Sequence, residues 1–486
     1  MKRYRKSLFL FIVFLCMILG SVAIAATDRA KDETIGFWVK ESLREDPRID
    51  DSKIKVSTQS GIVTLTGQVP NLSSKKYADL EAKKIGGVRG VINKLIVFVQ
   101  ARSNTDITQD LLRGFLNSAD LELHDLAVKV VSGRVTLTGQ VDSWSQKDEA
   151  GLIATELRGV TSVDNQVKVA EKGKRPDEEI RKDVIDALGR DVYLMGTLID
   201  VQVKDGIVTL TGKVATPYQK ERATEICRFV QNVRDVKDYM EVGAQEDMGV
   251  RRKAPLPSDT ELAKSVRDEL YQDLRVVDPF HMDVEATDGH VVLRGSVASH
   301  YQKRLASHDA QDVVGVVWVT NLLSVGTEWR EDQGVGDDVR FALDADSTLS
   351  GLNIVIRVKD GVVTLYGDVN TFQEKEHAAD VASRVLGVRD VINNITVSKI
   401  IKHIDRALKD RIKERLAANW ETHWVAGQIE VGVKDGVVTL AGDVTTWSEY
   451  KEAARIASLT DGVWGVVNRL RVVDVDYPWD EYMDIP

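Results

Sequence analysis

The chain has 486 residues, 43% of them apolar, a formal net charge of -10 and two cysteines. This leaves room for several small cores rather than one large one. The acidic balance excludes general attraction to nucleic acid or anionic lipid, so any such binding needs a local basic patch.

Lys2, Arg3, Arg5 and Lys6 precede a charge-free apolar run from Leu8 to Ala26, with Ala23 and Ala25 in a small-x-small pattern. Residues 1-26 therefore read as a secretory signal peptide, and the mature chain is expected in the periplasm. The run is also just long enough to span a bilayer, so an uncleaved inner-membrane anchor is the alternative. Cleavage takes the net charge from -10 to -14 and removes Cys16, leaving Cys227 alone. No intramolecular disulfide is then possible, and the fold rests on packing.

The mature sequence repeats itself. Unit 1 opens with Ile35, Val39 and Leu43, one apolar stripe on a short helix, and the same spacing returns as Ile107/Leu111/Phe115, Ile180/Val184/Leu188, Leu262/Val266/Leu270, Val335/Val339/Leu343 and Leu408/Ile412/Leu416. An alternating strand follows, then a tight turn on Gly61, Gly133, Gly206, Gly289, Gly361 or Gly436, preceded by Ser or Asp. Asp-Gly between β-rich runs is a hairpin signal, because the turn needs positive φ. The second strand, such as "DGVVTLAGDV" ending at Val444, leads to Asn71, Ser143, Thr216, Ser299, Thr371 or Thr446, all helix N-cap types. Gln or Glu three residues on predicts a capping box in five units. Paired small residues, from Ala78 and Ala82 to Ala453 and Ala457 with Cys227 in one slot, let this second helix lie close on the sheet. It stops near Gly87, Gly159, Asn232, Gly315, Gly387 or Gly462, which can adopt the left-handed cap, before a final strand.

The fold class is therefore α+β: six tandem small αββαβ domains, each a three-stranded mixed sheet with two helices on one face and a right-handed crossover. One stretch, "VKDGIVTLTGKV", approximates a nucleotide-binding loop. Its glycines Gly206 and Gly212 stand one residue too far apart, Val214 replaces the metal-binding hydroxyl, and the sister repeats do not keep Lys213. No cofactor is expected.

The αββαβ order, the G-x-V-x-L-x-G-x-V strand and the closing Gly387, Val388, Val391 and Asn393 resemble the BON domain, named for bacterial osmotically inducible and nodulation proteins. The resemblance covers 32-98, 105-169, 177-242, 258-325, 336-397 and 402-473, leaving an acidic tail at 474-486. It implies a non-catalytic periplasmic protein that binds phospholipid or other envelope components as a scaffold in envelope maintenance or osmotic stress. A periplasmic chaperone for exported clients is the alternative. Nucleic acid is not an expected partner.

Enzyme motifs of the HExxH, GxSxG, CxxC and GxGxxG types do not occur in the mature chain. The best metal candidates, His281, His290, His300 and His308 in unit 4, fall at scattered places in the unit, so no metal is expected. The aromatics Trp144, Tyr218, Tyr301, Phe372 and Trp447 sit in the first turn of the second helix, where apolar residues usually fix the helix start against the core. One surface stands out: Lys402, Arg406, Lys409 and Lys413 gather on one flank of the first helix of unit 6, with Trp420 and Trp424 just beyond. A basic stripe beside apolar anchors suits attachment to an anionic membrane surface. The alternative is a solvated flank paired with its own acids, both tryptophans capping the core.

Overall fold

The alternation in each repeat closes into the same unit six times in the computed structural model. It describes residues 31-119, 121, 126-170, 175-194, 197-243, 257-272, 282-326, 330-397 and 405-473. The signal segment, Lys402, His281 and the acidic tail lie outside those residues. In unit 5 the first helix (Asp332–Ala345) buries Val335, Val339 and Leu343, the stripe that its spacing predicts. The hairpin Ile354–Lys359 and Val362–Val369 is antiparallel, and the third strand (Asp390–Val397) runs parallel to the second. The second strand is thus central, and its inward residues Val363, Leu365 and Val369 meet both helices. Among the described residues every unit repeats this order. In units 2, 3 and 4 the third strand is broken in two, as in Ser162–Asn165 and Lys168–Val169, with both pieces still on the second strand.

The punctuation acts as its chemistry requires. The six turn glycines Gly61, Gly133, Gly206, Gly289, Gly361 and Gly436 have φ of 73, 75, 72, 78, 75 and 77°. All six predicted N-caps accept a hydrogen bond from the backbone three residues on. The capping box differs in detail. Glu374 and Glu449 reach back to the N-cap N–H, whereas Gln146, Gln219 and Gln302 accept from the residue before it. The small pairs on the second helices are fully buried, Cys227 included.

The units do not form a row. Unit 1 pairs with unit 6, unit 2 with unit 5 and unit 3 with unit 4, so the pairing is nested. Each pair is joined by short antiparallel bridges between the end of a first helix in one unit and the end of a second helix in the other: Ile85 with Asn419, Ser118 with Val385, Leu157 with Asp346, Asp191 with Val313. Units 2 and 5 show both halves of the exchange. Ala119 N–H donates to the Arg384 carbonyl and Leu386 to Asn117, while Arg158 donates to Ala345 and Ser347 to Glu156. That reciprocity is a local twofold relation between two copies of one unit.

Within each half of the chain the units also touch side by side. Second helices of units 1, 2 and 3 contact one another, with Lys76 donating to Thr155, Trp144 Nε1 to the Val233 carbonyl, and Lys83 paired with Glu221. Units 4, 5 and 6 are linked by Arg304–Asp380, by Gln373 donating to the Ser458 carbonyl and by Lys451–Asp312. Two triplets of units therefore face each other through three seams. Three of the first-turn aromatics take part in these contacts: Trp144 bonded to the Val233 carbonyl, Trp447 packed on Val192 and Tyr193 of unit 3, and Tyr218, whose ring lies 4.2 Å beneath Lys84 of unit 1; Tyr301 packs on the core of its own unit, as expected.

Candidate functional site

Ionisable side chains are concentrated in the seams. Among the described residues five first helices end in an Asp, Asn or Ser that stays buried, namely Asp46, Ser118, Asp191, Asp346 and Asn419. In four of them a side-chain oxygen accepts a nearby backbone N–H, as Asp346 Oδ1 does from Thr348 (2.7 Å) and Leu349 (2.9 Å). In the 1–6 seam Glu81 meets Arg455 at 2.6 Å and Arg48 at 3.3 Å, while Glu452 meets Lys84 at 3.1 Å and Arg455 at 2.6 Å. Burial alone would raise the Glu81 carboxyl, but Arg455, Arg48, Lys84 and Arg415 outweigh it and hold it at about 2. Burial, helped by the charge on Arg455, pulls Lys84 down to about 8.

In the 3–4 seam Arg222 bridges Asp191 of its own unit (3.0 Å) and Asp312 of the partner (2.9 Å). In the 2–5 seam His377 Nε2 lies 2.9 Å from Asp346 Oδ2, and Arg384 donates to Glu156 at 2.7 Å. Burial would lower the His377 imidazole, but Asp346 raises it to about 9.

On the outer surface, Arg406 and Lys413 are exposed and Lys409 is half-buried. None of the three makes an ion pair with a described residue. Two other cations of the same helix are taken up inside: Arg411 pairs with Glu45 of unit 1 at 2.7 Å, and buried Arg415 donates to the Leu459 carbonyl at 2.5 Å. The tryptophans separate. Trp424 is 54% exposed, edge-on to His423. Trp420 is a correction to the predicted surface: it is 8% exposed and its backbone N–H donates to the Lys84 carbonyl of unit 1. The bridge to unit 1 draws it into the seam, so it is not presented to a membrane.

The family model described as BON domain matches residues 31–97, 103–171, 176–244, 258–327, 331–399 and 404–474. The chain belongs to the BON domain family. It is 26% identical over 189 residues to osmotically-inducible protein Y of Escherichia coli, covering 38% of this chain and 88% of that one. With the outer membrane lipoprotein DolP of Haemophilus influenzae it shares 30% identity over 161 residues, covering 30% of this chain and 83% of the relative. A 21 kDa hemolysin of Actinobacillus pleuropneumoniae is 27% identical over 145 residues, covering 29% and 74%.

The remaining singled-out residues find places within the BON units. The described histidines of unit 4 stay apart: His290 bonds Thr320 at 2.8 Å, His300 lies 3.7 Å from Asp390, and burial lowers both His300, to about 4, and His308. Burial pushes the Cys227 thiol up to about 12, which suits an inert core residue. On the second helices Lys75 donates to the Leu95 carbonyl of the third strand, and Lys220 to the Met240 carbonyl between the two pieces of its own. The closing Asn of the third strand, as in Asn393, donates to the Lys375 carbonyl at 2.7 Å and accepts from Ile395 at 3.2 Å. It ties that strand to the second helix. Among the described residues no helix is long and apolar enough to cross a membrane.

Proposed function

We propose that this BON protein is an exported, non-catalytic component of the bacterial envelope that attaches to anionic phospholipid through unit 6 and serves there as a scaffold. The observation that carries the reading is the set of cations Arg406, Lys409 and Lys413, none paired with a described residue, on one flank of the first helix of unit 6, close in sequence to exposed Trp424. Each cation near an anionic surface contributes about 1 kcal/mol, enough together for weak, salt-sensitive attachment. Lys402 extends the stripe in sequence. The names of two relatives, one osmotically inducible and one an outer membrane lipoprotein, support an envelope setting.

Flotation of the mature chain with vesicles of phosphatidylcholine and phosphatidylglycerol tests this. The parent floats in low salt and is released in 0.5 M salt, whereas Lys409→Glu with Lys413→Glu stays in solution with an unchanged melting temperature. A parent that ignores anionic vesicles in low salt removes the membrane reading. If it also suppresses aggregation of an unfolded client at substoichiometric amounts, the chaperone reading takes its place. Export predicts a mature N-terminus after Ala25 or Ala26, read by mass spectrometry of the periplasmic fraction.

A further inference from the structure

One position recurs in the seams, and in the 3–4 seam it holds a cation between two carboxylates. In the 3–4 seam that cation is permanent: the Arg222 guanidinium contacts both Asp191 and Asp312. In the 1–6 seam the charges are exchanged: Glu452 stands where Arg222 does, meeting Lys84 in the place of Asp312 at 3.1 Å and accepting from Asn419 Nδ2 in the place of Asp191 at 2.9 Å. In the 2–5 seam the same three places are held by His377, Asp346 and Glu156. An imidazole is shorter than a guanidinium. His377 meets Asp346 at 2.9 Å, while Glu156 takes its hydrogen bond from Arg384 instead. One ligand atom from each of His377, Asp346 and Glu156 lies within 4.8 Å of the others.

We propose that Glu156, Asp346 and His377 bind one zinc ion per chain and so fasten unit 2 to unit 5. One imidazole nitrogen, once His377 Nε2 releases its proton to solvent, and two carboxylate oxygens are a donor set that zinc accepts. Tetrahedral coordination needs ligand atoms about 3.3 Å apart, which falls between the 2.9 Å of His377–Asp346 and the 4.8 Å within which all three lie. The ligands are held from behind. The Asp346 carboxylate is oriented by two backbone N–H groups on Oδ1, which leaves Oδ2 to face His377. Glu156 is fixed by the bridge, where its carbonyl accepts from Ser347 N–H at 2.7 Å, and by Arg384, which donates to Oε2 at 2.7 Å and to Oε1 at 3.4 Å. Such outer partners are what metal-bound carboxylates ordinarily have. Glu156 and Asp346 also line a cavity of about 80 Å³ with Asn117 and Arg384, whose Nδ2 and Nε are buried donors with no hydrogen-bond partner. That cavity gives room for a water as fourth ligand and for the donors that would orient it.

The test uses the full mature chain, stripped with EDTA and dialysed. Native mass spectrometry with zinc chloride is expected to show one zinc per chain. The melting temperature should rise by about 3 °C or more at zinc well above its dissociation constant, with no response to magnesium. His377→Gln retains a hydrogen-bonding group and should weaken zinc binding at least about 100-fold while keeping the circular dichroism spectrum. Asp346→Asn, which keeps the oxygen that caps Thr348 and Leu349, should do the same and serves if the first variant misfolds. Absence of zinc binding at 100 μM, a stoichiometry other than one, or undiminished binding by a folded variant overturns the site.

Discussion

Gly189 and Gly212 belong to the same unit and obey opposite rules. Gly212, in the second strand, has φ of 121°, and a Cβ there would lie 2.3 Å from the Leu198 carbonyl oxygen. Neither the backbone conformation nor the space admits another residue. Gly189 lies in the first helix with nothing within 4 Å of a Cβ. Gly212→Ala is therefore expected to cost on the order of 3 kcal/mol, whereas Gly189→Ala should stabilise by about 0.5 to 1 kcal/mol. Thermal melting of the two variants decides. Equal effects would mean that the strand bends differently at Gly212.

Between elements, a contact that periodicity did not reveal fixes the first helix to the hairpin. Asp32, Asp177, Asp332 and Asp405, at the start of their first helices, each accept two N–H groups from the hairpin turn. Asp259 accepts one, and Asn104 does so in unit 2. A polar residue at this place in every repeat was the available signal, but its partner lies 28 to 31 residues away in sequence. Asp332→Ala removes two hydrogen bonds to a charged acceptor and is expected to cost about 2 kcal/mol in chemical denaturation. Asp332→Asn should lose less, as Asn104 suggests. Faster hydrogen exchange at Asp360 and Gly361 would place the loss at the turn, and unchanged exchange in the alanine variant would refute the clamp.

For the whole molecule, nested pairing predicts one compact particle with a radius of gyration of about 23 Å, against about 45 Å for six units in a row. Small-angle scattering separates the two. The seams also predict how the particle opens. Glu81 titrates at about 2 in the fold against an ordinary 4.5, so its contribution to stability is complete above the ordinary value and is lost as pH falls from 4.5 towards 2. Over that range the radius is expected to rise before the far-ultraviolet circular dichroism is lost, because units 3, 4, 5 and 6 have their own cores and units 1 and 2 share one. Glu81→Gln should flatten this dependence. At neutral pH Arg222→Met leaves Asp191 and Asp312 without their shared cation and is expected to cost about 3 to 5 kcal/mol. A neutral effect would mean that Lys451, the other partner of Asp312, compensates.

The sequence by itself determined the unit: its element order, the parallel third strand, the turn glycines, the N-caps and the buried small pairs. Each depends on residues close along the chain or on a period that one unit repeats, and such signals survive without tertiary information. Only the tertiary structure decided which units meet. Trp420 and Trp424 stand four apart and look alike in sequence, yet one is buried against Lys84 of unit 1 and the other faces water. Arg411 and Arg415 lie on the same helix as the basic stripe and are seam residues. No local spacing marks His377, because its neighbour Glu156 is supplied by another unit. Packing between units is set by shape and charge across long separations, and no local period encodes it.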